Sequence, residues 1–359
     1  MPACRAQGKG QGNDIGAAMN SVLVSGAAGF IGHAVARALT ARGVAVTGID
    51  NINDYYPVAL KRARLADLAD SAGDRFDFVA LDFADADALS QALVERQFDA
   101  IVHLGAQPGV RYSLDHPQAY ARSNLVGHLN MLELARARRV GHMVYASSSS
   151  VYGNSAEQPL SVDQRTDHPI SLYAATKKAD ELMSETYAHL FGIPLTGLRF
   201  FTVYGPWGRP DMAVWSFTRD IMAGRPIRVT NGGNMLRDFT YVDDIVAGII
   251  ACLAQPPVAS GTPNPGGSRA PHAIYNIGNN APERLDRLID IIEEACGQKA
   301  VRIDQPVPPG DVIATFADIS QMQQKFGFSP ATSLERGIAD FVSWYRDFRL
   351  RPGMMEAGL

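Results

Sequence analysis

Tyr173 and Lys177 stand four residues apart in the run Tyr173-Ala174-Ala175-Thr176-Lys177. On a helix that spacing makes the phenol and the ammonium neighbours on one face. A tyrosine with its ordinary pKa of about 10 is a poor base at neutral pH. A positive charge beside it favours the phenolate, which can then take a proton from an alcohol. The pair alone occurs by chance in many helices, where it is one core residue and one surface residue. Here it begins a helix 25 residues after Ser148, beyond a strand ending at Ala146-Ser147. That combination is hard to produce by chance.

A second group is Gly26-Ala27-Ala28-Gly29-Phe30-Ile31-Gly32, between a strand and a helix. The first glycine allows a tight turn, the second lets backbone approach a pyrophosphate, and the third permits close helix–strand packing. The helix start then supplies amide groups and a favourable dipole for phosphates. An ordinary strand–helix turn is the bland alternative, and the spacing G-x-x-G-x-x-G departs from the commoner G-x-G-x-x-G. Asp50 ends the next strand, where a carboxylate accepts hydrogen bonds from the adenosine ribose and repels a 2′-phosphate. No arginine stands beside it, so NAD is expected rather than NADP. Asp82 is placed to meet the adenine, with a helix N-cap as its alternative role. Phe30, Ile31, Asn51, Phe83, Leu104, Gln107 and Asn124 complete the expected cofactor contacts.

The elements that must position these groups alternate. Strands are expected at 21–25, 44–50, 76–81, 100–104, 142–146 and 195–200, with helices over 30–41, 86–95, 120–137 and 171–190. Such alternation implies a parallel sheet covered on both faces, an α/β fold of the Rossmann doubly wound type. From about Val203 glycine and proline become frequent and the elements shorter, which suggests a smaller C-terminal α/β substrate-binding lobe. Residues 19–200 are assigned mainly to the dinucleotide-binding domain and 201–350 mainly to that lobe, with some chain crossing back. Pro256–Pro271 reads as a surface loop. A strand at 273–277 and helices at 285–295 and 334–348 follow.

Composition narrows the class. The chain has 359 residues, 46% hydrophobic and 19% charged, with a net charge of −4. That balance argues against disorder and against a general nucleic-acid binder. No apolar run reaches the length of a membrane span. Residues 1–18 lack the apolar stretch of a secretory signal and read as a disordered leader, with Met19 as an alternative start. Cys4, Cys252 and Cys296 are odd in number and far apart, pointing to a reduced, cytoplasmic setting with packing thiols. His103 is expected in the core rather than as a base. No histidine pair has metal-ligand spacing, so no metal is expected.

Together these residues resemble the extended short-chain dehydrogenase/reductase superfamily over Met19 to Phe348. At finer grain the chain resembles the UDP-glucuronate 4-epimerases. The stretches that carry this are Asp50–Leu65, His103–Leu114, Tyr145–Gly153, Leu198–Ala213, Arg237–Asp244, Tyr275–Pro282 and Pro309–Val312. A small departure is Gly105, where the family usually has alanine; little consequence is expected.

The resemblance implies that Tyr173 takes the proton of a sugar 4-hydroxyl, that Lys177 lowers its pKa and binds the nicotinamide ribose, and that Ser148 bridges tyrosine and substrate. The 4-hydride passes to a tightly held NAD and returns to the other face of a 4-keto sugar. Ser149, Ser150 and Thr202 are expected to hold the carboxylate of a glucuronate out of alignment for decarboxylation. Serines that merely cap a strand end are the alternative. Decarboxylating relatives carry an acid at the Ser150 position, and dehydrating ones an Asp-Glu pair at Ser149-Ser150; neither is present. Arg237 resembles the diphosphate-binding arginine, Arg209 is a second substrate contact, and Asp311 resembles the acid that binds the uridine ribose. Pro308 stands where several relatives have an arginine. A homodimer through the helices near 120–137 and 171–190 is implied, with no nucleic acid or membrane partner. A neutral-hexose 4-epimerase and a non-catalytic nucleotide-binding scaffold are the competing readings.

Overall fold

Short apolar runs, each closed by a glycine, an acid or a polar turn, become the strands β1 (Ser21–Ser25), β2 (Ala45–Asp50), β3 (Phe76–Ala80), β4 (Ala100–His103) and β5 (His142–Ser148). This computed structural model describes residues 19–308, 310–355 and 359. The expected leader and Cys4 lie outside the described residues. Between the strands run α1 (Phe30–Ala41), α2 (Val58–Ala72), α3 (Ala86–Ala92), the short α4 (Tyr112–Asp115) and α5 (Pro117–Tyr120), and α6 (Gly127–Arg138). The twenty-residue α7 (Leu172–Phe191) leads to β6 (Leu195–Phe200).

After β6 the chain leaves the sheet. It forms β7 (Thr202–Tyr204), α8 (Ala213–Met222), β8 (Ile227–Thr230) and β9 (Leu236–Tyr241), then α9 (Val242–Leu253) and β10 (His272–Ile277). The last elements are β11 (Pro282–Arg284), α10 (Leu285–Cys296), β12 (Arg302–Gln305), α11 (Ser320–Phe326) and α12 (Leu334–Arg349). Seven strands form one sheet in the order β10-β6-β5-β4-β1-β2-β3, every pair parallel. The expected doubly wound α/β fold is therefore present, with β10 returning to pair with β6 from beyond the small sheets β11-β9-β7 and β12-β8. Successive strands run outward from β1 in both directions. That leaves a crevice beyond the carboxyl ends of β1 and β4, where open α/β sheets bind ligands.

Among the helices without a place in the sequence reading, which also include α4, α8 and α11, α2 and α9 were hidden for opposite reasons. α2 buries Leu60 and Leu68 together with Lys61 and Arg64, so its inward face does not look apolar. α9 is nearly all apolar because it is packed between α1 and the sheet, so its helical period is hidden. The single helix expected over 120–137 is instead α5, a π-helical stretch at Ala121–Val126, and α6. Asn124 is the buried residue of the π stretch. The wider turn comes just before Gly127, where a Cβ would lie 2.3 Å from the Phe83 ring.

Candidate active site

β1 delivers the chain into the glycine turn, and the turn is held by backbone. Gly26 has φ +73° and donates to the Ile49 carbonyl at 2.8 Å, while its own carbonyl accepts from the Gly29 N–H at 2.8 Å. A Cβ on Gly32 would come within 2.0 Å of that carbonyl oxygen, so only glycine fits there. Gly29 caps α1 without a side-chain hydrogen bond, so the first-turn amides of Phe30, Ile31 and Gly32 get no acceptor from their cap. Asp50, buried at the end of β2, accepts from the Ile52 N–H at 2.8 Å through Oδ1. Burial raises its pKa, opposed chiefly by the Lys61 ammonium. A side-chain-free cradle, free helix-start donors and a buried carboxylate fit the diphosphate and ribose of a dinucleotide.

These residues open on a cleft of about 430 Å³. Gly26, Gly29, Phe30, Ile31, Gly32, Asp50, Asn51, Phe83 and Leu104 line one end. Ser148, Ser149, Ser150, Tyr173, Lys177, Thr202, Arg209 and Asp311 line the rest. Three expected cofactor residues are not among its walls. The Asn124 amide accepts from the Gln107 N–H at 2.8 Å and donates to the Gln107 carbonyl and to Thr176 Oγ1. Asn124 thus clamps the Leu104–Gln107 turn to α7, its amide spent on the Gln107 backbone and Thr176, while the Gln107 side chain donates to the Pro108 carbonyl. Asp82 caps its own turn through the Ala84 N–H and pairs with Arg122 at 3.0 Å. The N-cap of α3 is Asp85, so the alternative role considered for Asp82 falls to its neighbour.

The acid–base set comes from two elements. β5 runs on to Ser148, whose Oγ accepts from the Ser150 N–H at 3.1 Å as the chain turns through Ser149–Tyr152. α7 starts at a Ser171 cap that accepts from the Ala174 N–H, which brings Tyr173 and Lys177 to its inward side. Tyr173 meets the ring of Tyr120 edge-on at 6.1 Å. Lys177 is buried and donates to Asp180 at 2.7 Å. One turn further, Glu181 holds Arg199 through two bonds of 2.8 and 2.9 Å and accepts from Ser147. Burial pushes the Glu181 carboxyl up, but Arg199 outweighs it and holds the group below the usual carboxylate range. The floor of the site is therefore tied to α7 by a buried ion pair.

The other end is built from charged side chains, most of them on loops and Arg237 on β9. Arg209 pairs with Asp211, which also accepts from the Tyr55 hydroxyl at 3.2 Å. Asp311 pairs with Arg111 at 2.8 Å across 200 positions of chain. Arg237 lines an adjoining cavity of about 150 Å³ that shares Ser149, Ser150, Thr202 and Asp311 with the main cleft. Its guanidinium donates to the Leu236 and Ile313 carbonyls; burial lowers its pKa, and the Asp311 charge opposes that.

Sequence reasoning missed Asn53, Tyr55, Lys61, Val110 and Ser123 as cleft residues. Lys61, bonded to Asn53 at 2.7 Å, could have been found only by noticing that Leu60, Arg64 and Leu68 share its helix face. Gly105 was expected to matter little. Here a Cβ on it would lie 2.5 Å from the Phe83 ring, so the glycine and that phenylalanine are coupled. His103 is a core residue as expected: buried, bonded to Ser25 at 2.6 Å, and driven by burial to a pKa of about 3. Cys252 is likewise buried, against Met322.

A glycine-cradled dinucleotide site facing a tyrosine–lysine–serine set at the carboxyl edge of a doubly wound sheet defines a class. Residues 22–278 match the NAD dependent epimerase/dehydratase family, and the chain belongs to it. It is an NAD-dependent epimerase. Among curated relatives, UDP-glucuronate 4-epimerase 1 of Arabidopsis thaliana is 47% identical over 91% of this chain and 77% of its own length. Protein CapI of Staphylococcus aureus is 46% identical over 91% of this chain and 98% of its own. Among solved structures, UDP-glucuronic acid 4-epimerase from Bacillus cereus, in complex with UDP-glucuronic acid and NAD, superposes with a TM-score of 0.82. It is 31% identical and spans 91% of this chain and 99% of that one.

Proposed function

We propose that this chain inverts C4 of UDP-glucuronate, giving UDP-galacturonate through a transient 4-keto sugar. The observation that carries the reading is the content of one cleft: Tyr173, Lys177 and Ser148 beside hydroxyls, not carboxylates, at positions 149 and 150. The names of the relatives support the substrate.

In this reading the Tyr173 phenolate takes the proton of the sugar 4-hydroxyl, and Lys177 favours that phenolate with its charge. Ser148 Oγ, at the strand end, orients the same oxygen. NAD held by the Gly26–Gly32 turn and Asp50 would supply the acceptor and donor of the C4 hydride. Between the two transfers the sugar turns about its link to the diphosphate, while the nucleotide stays anchored. Arg237 and Arg209 are the candidate diphosphate and sugar contacts, and Asp311 the ribose contact. The turning sugar is a β-keto acid, which loses carbon dioxide when its carboxylate bond aligns with the carbonyl π system. Ser149, Ser150 and Thr202 hold the carboxylate out of that alignment. We also propose a homodimer through α6 and α7, supported by exposed Leu129, Leu182 and Leu190 on those helices; sedimentation at micromolar concentration tests it, and a monomer would refute it.

Purified protein given UDP-glucuronate without added NAD tests the reaction. UDP-galacturonate, identified by chromatography and NMR, is the expected product. UDP-xylose or a 4-keto pentose would mean that the serine argument is wrong. Turnover of UDP-glucose alone would move the assignment to a neutral sugar.

A further inference from the structure

Lys177 does not stand alone behind Tyr173. Its ammonium is 2.7 Å from Asp180 Oδ2, and both side chains are buried, at 3% and 1% exposure. The second carboxylate oxygen, Asp180 Oδ1, is buried with no hydrogen-bond partner among the described residues. Half-satisfied buried carboxylates are costly, and a structural salt bridge would normally use both oxygens. The neighbouring helix turn is already fixed by Glu181, which binds Arg199, Lys178 and Ser147.

The titratable groups facing the pair come from every element around it. On α7 these are Tyr173 and Glu181, on α6 His128, on β4 His103 and on β5 Tyr145. His103 and His128 are held neutral by burial, and Tyr145 is pushed up by burial as well. Glu181 is committed to Arg199. The one negative charge set directly against Lys177 is that of Asp180.

We propose that Asp180 is a positioning residue that compensates the charge of Lys177 and so sets how strongly that charge favours the Tyr173 phenolate. The proposal rests on Tyr173 being the base, as argued above. With Asp180 ionised, part of the Lys177 charge is compensated and the phenolate is favoured less. With the carboxylate removed, the ammonium acts on Tyr173 uncompensated. Burial raises the Asp180 pKa, against the pull of Lys177, to about 6, so the compensation itself fades in mild acid. No atom of Asp180 has to touch substrate for this effect.

The test follows the phenolate by near-ultraviolet absorbance in NAD-saturated protein as pH is varied. The tyrosine titration that disappears in Tyr173→Phe is assigned to Tyr173. Asp180→Asn keeps the size and a hydrogen-bond acceptor for Lys177 but removes the charge. It is expected to move the midpoint down by roughly one pH unit, about tenfold in the ionisation constant. The acidic limb of kcat/KM should move with it, which loss of packing alone would not produce. An unmoved or raised midpoint, with Tyr173→Phe inactive, overturns the proposal and leaves the tyrosine assignment standing. A fully active Tyr173→Phe overturns both. Should the asparagine variant fail to fold, Asp180→Ser carries the same expected downward shift and the same refutation.

Discussion

The two ends of the cleft are made of different materials. At the cofactor end the walls are backbone: the turn through Gly26, Gly29 and Gly32, the first amides of α1, and the end of β2 at Asp50. At the substrate end they are charged side chains, Arg209 and Asp311 on loops, held by Asp211 and Arg111, and Arg237 on β9, held by two carbonyls. A backbone site is rigid and tolerates almost no added atom. A side-chain site gives each group a choice of partners, so a bound diphosphate can draw an arginine from its carboxylate. In the proposed reaction the sugar turns within the site while the cofactor stays fixed, and the division of materials suits that requirement. Tyr173 and Lys177, on α7 between the two ends, are held by the buried network beneath them.

Substitutions can break or sharpen this contrast. The largest effect on activity is expected at the boundary: Tyr173→Phe should lower kcat by about a hundredfold to ten-thousandfold with NAD affinity retained, measured by turnover and by cofactor titration. Next comes the buried floor. Glu181→Gln leaves Arg199 buried and unpaired and should cost about 3 kcal/mol or more in denaturant unfolding. The sign with pH follows from its depressed pKa. The stabilisation by Glu181 is present above the ordinary carboxylate range and is lost as pH falls through the folded pKa. The glutamine variant should therefore lose part of the acid sensitivity of unfolding, and an unchanged pH slope would count against the buried pair.

Smaller effects separate the two ends. Gly105→Ala at the cofactor end pushes a methyl group into Phe83 and should cost about 1–3 kcal/mol, partly recovered by Phe83→Leu. Equal stability of Gly105→Ala and the parent would show that the phenylalanine yields easily. Arg111→Gln at the substrate end removes a pair whose arginine is 57% exposed, so stability should change by less than about 1 kcal/mol. Its mark should be a raised KM with kcat nearly kept. A fall in kcat alone would show that Arg111 acts on the chemistry rather than on binding.

The same contrast explains what could be read from the chain. The glycine turn, Asp50 and the strand–helix alternation were legible because backbone sites are encoded locally, in spacing and in residues whose size is forced. Tyr173 and Lys177 were legible because one helix face brings positions four apart together. Asp180 lies on that same face, but a motif that stops at the lysine does not ask what lies under it. The Arg111–Asp311 pair was invisible because its partners are 200 positions apart and meet only once the substrate loops fold over the sheet. Lys61 was hidden by a helix whose buried face carries charge. Gln107 and Asn124 were expected to contact the cofactor, but sequence alone does not tell a residue facing the cleft from one behind its wall.

In the proposed reaction C4 is inverted by moving its own hydrogen out and back within one cleft. UDP-glucuronate carrying deuterium at C4, incubated with the protein in ordinary water, tests it most directly. UDP-galacturonate that keeps the deuterium at C4 is the predicted result. Product with hydrogen at C4, or a pentose formed with loss of carbon dioxide, would contradict it.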